Sequence, residues 1–345
     1  MDPLRRSFWF RRIASAGALL AAAVVVLGAW VRLTDAGLGC PDWPGCYGNI
    51  YPQAGHLDPQ AAFHFAKALH EMIHRYVAAG LIIVITVLLA WAARFRRDRR
   101  QPLLPAVLLF IVVCLQGALG ALTVTMLLKP LIVTAHLLGG LTTLGLMWWL
   151  SLAPEIRQPT ERECTLRKFA LFGGAVLTAQ IALGGWTSSN YAAVACPDLP
   201  TCQHSWWPQM DFRNAFVLGR GLGIDYEGGV LASPARTAIH FTHRLGALLA
   251  GSILISLGIA AARSRDNRRA VLAGRLLVLG VVLQIAIGMA TVHWGVPLAL
   301  ATLHNAGAAF LVVSLVTLLR ALWPARVRPE PPIDMVPLHR AQPSR

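Results

Sequence analysis

The chain has 345 residues, 56% of them apolar and only 14% charged, with a mean hydropathy of +0.56. Soluble domains carry about a quarter charged residues, so a water-soluble globule is excluded, and so is a disordered chain. A net charge of +15 would suit a nucleic-acid partner. Its placement, set out below, assigns it to membrane topology instead.

Apolar runs long enough to cross a bilayer as helices occur eight times: about Ile13–Val31, Phe65–Ala93, Leu104–Met126, Leu131–Leu150, Lys168–Thr187, Pro234–Ala262, Val271–Val292 and Ala299–Leu322. The first follows a basic segment, as in a signal peptide, but its apolar stretch is too long for one and seven more follow. It is read as a retained helix. Eight crossings return the chain to its starting side. That side holds residues 1–12, 94–103, 151–167 and 263–270, the stretch after Leu322 and the adjoining helix ends. It carries 23 Lys and Arg against 8 Asp and Glu, whereas the opposite side carries 8 of each. The whole net charge therefore lies on one face, which predicts both termini in the cytoplasm, the bilayer as partner and no nucleic acid. The prolines at 329, 331, 332 and 337 predict a disordered tail.

The two halves repeat one another. Cys40-Pro-Asp-Trp-Pro-Gly-Cys46 returns as Cys196-Pro-Asp-Leu-Pro-Thr-Cys202. Ile73-His74-Arg75 returns as Thr242-His243-Arg244, Gln116 with Gly120 as Gln284 with Gly288, and His136 as His304. The expected fold is an all-α polytopic membrane protein, eight transmembrane helices arranged as two pseudo-symmetric four-helix bundles in a parallel repeat. The expected division is a cytoplasmic segment (1–12), a first bundle (13–151), a cytoplasmic linker (152–167), a second bundle (168–322) and the tail (323–345).

Ionisable residues inside spans are functional candidates. His74 opens the second helix and His136 the fourth; His243 and His304 do the same in the other half. Two imidazoles facing each other across a four-helix bundle form an axial ligand set for haem iron. Taken singly, each reads better as a hydrogen-bonded structural histidine; the repeat reverses that. Arg75 and Arg244, next to their histidines, either meet haem propionates or snorkel to the interface. His70-Glu71-Met72-Ile73-His74 matches the zinc-hydrolase pattern H-E-x-x-H, but Ile239 replaces His70 in the second half. Glu71 lies one turn from His74 and is replaced by His240 in the repeat, so the halves are chemically unequal.

The cysteine pairs, each with five residues between partners, can close small disulfide loops on the neutral side, as structural staples or redox-active dithiols. Cys114 and Cys164 read as packing residues. Gln116–Gly120, Gln180–Gly184 and Gln284–Gly288 repeat a Q-x-x-x-G spacing that core packing explains. The glycine-rich stretch 188–233 is expected to form a mobile cover over the second bundle. His56, His64, His204 and His293 have no repeat partner.

These residues resemble the haem A synthase family (CtaA/Cox15), in a bacterial type with cysteine pairs in both outer loops. The resemblance is carried by Arg32-Leu-Thr-Asp-Ala-Gly-Leu-Gly-Cys-Pro-Asp-Trp-Pro-Gly-Cys46, Glu71-Met-Ile-His-Arg75, Ala135-His136-Leu, Thr242-His243-Arg244 and Leu303-His304-Asn. It implies an oxidoreductase that converts the C8 methyl of haem O to a formyl group by successive hydroxylations, giving haem A for terminal oxidase assembly. It implies Glu71 as the catalytic carboxylate, His74 and His136 as ligands of the substrate haem O, and His243 and His304 as ligands of a haem b. The first-loop cysteines of the family correspond to Cys40 and Cys46. The role of His70 is left open. The expected setting is the bacterial inner membrane. Expected partners are an unidentified electron acceptor and haem O synthase (protohaem farnesyltransferase), with a homo-oligomer left open. The alternative is a two-haem b-type cytochrome that only transfers electrons; it shares the histidines and differs at Glu71.

Overall fold

The computed structural model describes residues 2–52, 59–98, 101–221, 223–264 and 267–325, side chains of 59–63 excepted. Eight long helices account for most of these: α1 (Pro3–Leu33), α2 (Pro59–Arg94), α3 (Leu103–Thr125), α4 (Pro130–Ser151), α5 (Glu161–Ser189), α7 (Ser233–Ala262), α8 (Arg268–His293) and α9 (Leu298–Ala321). A single turn, α6 (Phe212–Ala215), lies between α5 and α7. All eight long helices are long and apolar enough to cross a membrane. Among the described residues there is no strand, only isolated bridges.

Several helices run past the apolar limits read from the sequence. Helix α1 starts at Pro3, inside the basic segment, because its backbone bonds need no lipid and proline suits the first turn. Helix α5 starts at Glu161, where Thr160 and Glu163 close a reciprocal capping box. Most of the tail lies outside the described residues. Its first three residues do not: Ala325 pairs with Ile156 of the linker.

Helices α1–α4 pack in a ring, each against its two neighbours, and α5, α7, α8 and α9 do likewise. Within each ring the basic-side half is filled by side chains, among them Ile85, Leu88, Leu109 and Leu144 in one and Leu254, Leu257, Leu277 and Leu318 in the other. The rings meet through α4 against α9, α1 against α9 and α4 against α5. Exchanging the halves converts the second of these contacts into the third.

Repeat-equivalent residues touch one another along this seam. Arg32 Nη2 donates to the carbonyl of Ser188 (2.7 Å), and the Tyr191 hydroxyl donates to Asp35 (2.9 Å). At the opposite end Arg320 Nε donates to the carbonyl of Leu152 (3.3 Å). The first part of the long α5–α7 connection, with the Cys196–Cys202 loop and α6, packs on α5 and α7 of the second ring. Tyr226, only 2% exposed, donates its N–H to Leu127 between α3 and α4, and Glu227 pairs with Lys67 of α2. The distal part of the loop is thus anchored across the seam on the first ring. Its glycines give it conformational freedom but do not choose its destination.

Candidate functional site

Helices α2 and α4 sit diagonally in the first ring, as α7 and α9 do in the second. The sequence places His74, His136, His243 and His304 near the neutral-face ends of these four helices, one to three turns beyond the filled cores. His74 and His136 stand on diagonal helices of one ring, and His243 and His304 on those of the other. Each imidazole lies against a glycine on a neighbouring helix. A Cβ at Gly28 would stand 3.0 Å from Cε1 of His74, at Gly120 3.4 Å from that of His136, at Gly184 3.1 Å from that of His243, and at Gly288 3.0 Å from that of His304.

Nδ1 of His74, His136 and His304 is enclosed without a hydrogen-bond partner among the described residues. Enclosed unpaired nitrogens are costly, and a flat macrocycle needs side-chain-free backbone beside it. Four half-buried imidazoles in two diagonal pairs, backed by glycine, fit haem iron as an axial donor set. Gln116, Gln180 and Gln284, whose spacing reads as packing, in fact press against glycines that follow a histidine by three residues: Gly139, Gly246 and Gly307. The repeated Q-x-x-x-G was the signal for this layer.

Above each histidine pair lies a disulfide loop, Cys40–Cys46 in one half and Cys196–Cys202 in the other. Glu71, 5% exposed, ties the first loop to α2. Its Oε2 accepts the N–H of Cys40 (2.9 Å) and its Oε1 the Nη2 of Arg75 (2.5 Å). Gly39 lets the loop backbone meet α2, since a Cβ there would come within 2.7 Å of the backbone of Lys67 and Ala68. The second half keeps the design with a different acceptor: the Cys196 N–H lies 3.4 Å from Nδ1 of His240.

Arg75 also donates to the carbonyls of Asp42 (2.9 Å) and Gly45 (2.6 Å). Arg244 donates to those of Asp198 (3.0 Å), Thr201 (2.9 Å) and Cys196 (2.6 Å). Both arginines therefore clamp their loops, with propionate contact and snorkelling as the two readings of the sequence. A carbonyl-rich tight loop and a propionate attract the same guanidinium, so sequence alone did not separate them.

The H-E-x-x-H pattern does not assemble a metal centre. Glu71 is engaged by the loop, His70 stacks edge-on to Trp30, and no group of three or more His, Cys, Asp or Glu among the described residues is placed to hold an ion. Cys114 and Cys164 are free thiols. His56 lies outside the described residues.

With this geometry the chain can be set beside known proteins. The family model COX15-CtaA, described as Cytochrome oxidase assembly protein, matches residues 11–316. The chain belongs to this family. It is similar to the heme A synthase of Shewanella oneidensis, 41% identical over 329 residues that cover 91% of this chain and 96% of the relative. It is also similar to the heme A synthases of Rhizorhabdus wittichii, at 28% identity over 86% of this chain and 89% of the relative, and of Shouchella clausii, at 28% over 89% and 92%. The stretch matched by the COX15-CtaA model begins in α1 and ends in α9, so it contains all four histidines, Glu71 and both disulfides.

Proposed function

We propose that this chain is a membrane-embedded haem A synthase. Family membership and the shared name of its relatives support haem A formation. The observation that carries the reading to particular residues is the layer of four imidazoles, each facing a glycine. In this reading the first bundle (13–151) takes haem O as substrate between His74 and His136. The second (168–322) holds a haem b between His243 and His304. Bound there, haem b supplies one-electron chemistry.

The protein's own contributions are ligation, orientation and local charge. Histidines on diagonal helices would hold the macrocycle's iron, and the glycines beside them would leave space for it. Glu71, one turn from His74, holds a negative charge near the C8 methyl, where it stabilises developing positive charge or directs water during conversion to the formyl group by successive hydroxylations. Arg75 and the Cys40 N–H hold that carboxylate in place. His243 and His304 would hold a haem b able to relay electrons to an acceptor outside the chain. The prenyl tail of haem O enters from lipid, which suits direct transfer from haem O synthase. The basic face is assigned to the cytoplasm of a bacterial inner membrane, and the disulfide face to the oxidising side.

Extraction and chromatographic separation of the haems from purified protein test this reading. The wild type should yield haem b together with haem O or haem A. Glu71→Gln should retain both haems yet accumulate haem O, with haem A output reduced at least about 100-fold, as for loss of one transition-state electrostatic contact. Protohaem alone in the wild type, or undiminished haem A from the variant, would leave the electron-transfer cytochrome in its place.

A further inference from the structure

The four histidines are not held alike. The amide nitrogen of Gln180, on α5, lies 3.0 Å from Nδ1 of His243 and donates to the carbonyl of the same residue at 3.0 Å. Gln284 meets the other ring nitrogen of His304, Nε2, at 3.3 Å and donates to the carbonyl of that residue at 2.9 Å. Each glutamine reaches its place only because the residue three beyond the histidine is glycine: a Cβ at Gly246 or Gly307 would overlap the carboxamide. In the first half Gln116 enters against Gly139 in the same way. The fourth member of the set is absent. Val24 stands at the position equivalent to Gln180, and Val77 at the position equivalent to Gly246. Both parts of the lock have changed together; Nδ1 of His74, like that of His136 and of His304, has no partner, so of the four only His243 is held at Nδ1.

We infer that Gln180 is a positioning residue that fixes His243 as a permanent axial ligand, and that the Val24–Val77 pair leaves His74 free to dissociate. The inference rests on the ligand assignment above and deepens it, because it makes one bundle able to exchange its haem and the other unable. A metal-bound imidazole owes its orientation and basicity to the hydrogen bond made by its second nitrogen. Oε1 of Gln180 is enclosed and unpaired. When the other ring nitrogen binds iron, Nδ1 carries the proton, and a turn of the carboxamide that brings its oxygen to Nδ1–H gives up the amide's bond to the His243 carbonyl while keeping the side chain's shape. Valine offers His74 nothing comparable. A substrate site must release its macrocycle after each turnover; a relay must not.

The test uses purified, haem-loaded protein, followed by redox titration and by carbon monoxide difference spectra of the reduced form. His243→Ala is the reference and should lose the second-bundle haem. If it keeps that haem, the ligand assignment fails and the inference with it. Given that loss, Gln180→Leu should keep the haem but raise its midpoint potential and admit carbon monoxide. Gln180→Glu, a stronger acceptor of the same shape, should lower the potential and still exclude the gas. Shifts of opposite sign are not produced by a packing defect. In the converse variant, Val24→Gln with Val77→Gly, release of the first-bundle haem to apomyoglobin should slow by about 10-fold or more, the scale on which outer hydrogen bonds act on metal sites. Gln180→Leu and Gln180→Glu with unchanged potential and no carbon monoxide binding would overturn the inference.

Discussion

Asp42 and Asp198 organise the two disulfide loops by accepting backbone N–H groups five and six residues ahead. Asp42 takes those of Tyr47 (2.7 Å) and Gly48 (2.8 Å), and Asp198 those of Gln203 (2.6 Å) and His204 (3.0 Å). Asp198 also accepts the hydroxyl of Thr201. For Asp42 the Gly48 amide is the largest influence holding the carboxyl below its ordinary range; for Asp198 it is the Thr201 hydroxyl. A depressed native pKa contributes stability that is complete above the unfolded value and is lost as pH falls through the native one. Amide exchange at Tyr47 and Gly48, corrected for intrinsic rates, should therefore stay slow through mildly acidic pH. It should accelerate only below the ordinary aspartate range. In Asp42→Asn the protection should already be reduced at neutral pH. The repeated Cys-Pro-Asp was plain in the sequence, but the task of its aspartate was not, because both partners are backbone groups without a residue signature. Glu71 was legible as exceptional for a similar reason turned around: a carboxylate within a span must be satisfied, and Arg75 stands one turn along the same helix, whereas the Cys40 N–H appears only in three dimensions.

Helices were the most legible level. The apolar runs announce themselves in one dimension, since a span's length is a local property. The contacts between helices were not legible in this way: Gln180 and Gly246 lie on different helices, and periodicity within one helix says nothing of which neighbour fills its groove. The start of α5 shows how much one element's end can tie together. Arg157 donates two bonds to Glu163 (2.7 and 2.6 Å), Asn267 at the start of α8 donates another (2.6 Å), and Asn267 also reaches the carbonyl of Ala321 at the end of α9 (3.1 Å). Arg157 is held protonated by Glu163 above all. Replacing Glu163 by alanine removes the carboxylate half of the capping box and leaves both donors short of an acceptor. It should cost about 2–3 kcal/mol, read as a lower midpoint of thermal unfolding in detergent, with haem content preserved below the transition.

The α5–α7 connection and the seam belong to the whole molecule. Tyr226 is the loop's deepest anchor on the first bundle, and Tyr226→Ala should cost about 3 kcal/mol of local stability, on the scale of large-to-small aromatic losses. Limited proteolysis should then cut the loop between 217 and 230 faster, and haem should be lost from the first bundle before the second; equal loss from both would show that the strap serves neither in particular. The sequence disclosed the existence of two related halves and left their junction unstated. At that junction Arg32 bonds the backbone of Ser188 and lies 4.2 Å over the ring of Tyr191, whose hydroxyl bonds Asp35. Burial pushes the Tyr191 phenol above its ordinary range, which keeps its proton on that bond.

In an assembly of two identical four-helix chains, position 32 would meet its own copy, guanidinium facing guanidinium, and position 35 would set carboxylate against carboxylate. Joining the copies in one polypeptide lets each confronted pair diverge into a matched couple. It thereby sets the two halves apart, so the chemical inequality of the two bundles is written into their common wall as well as into their interiors.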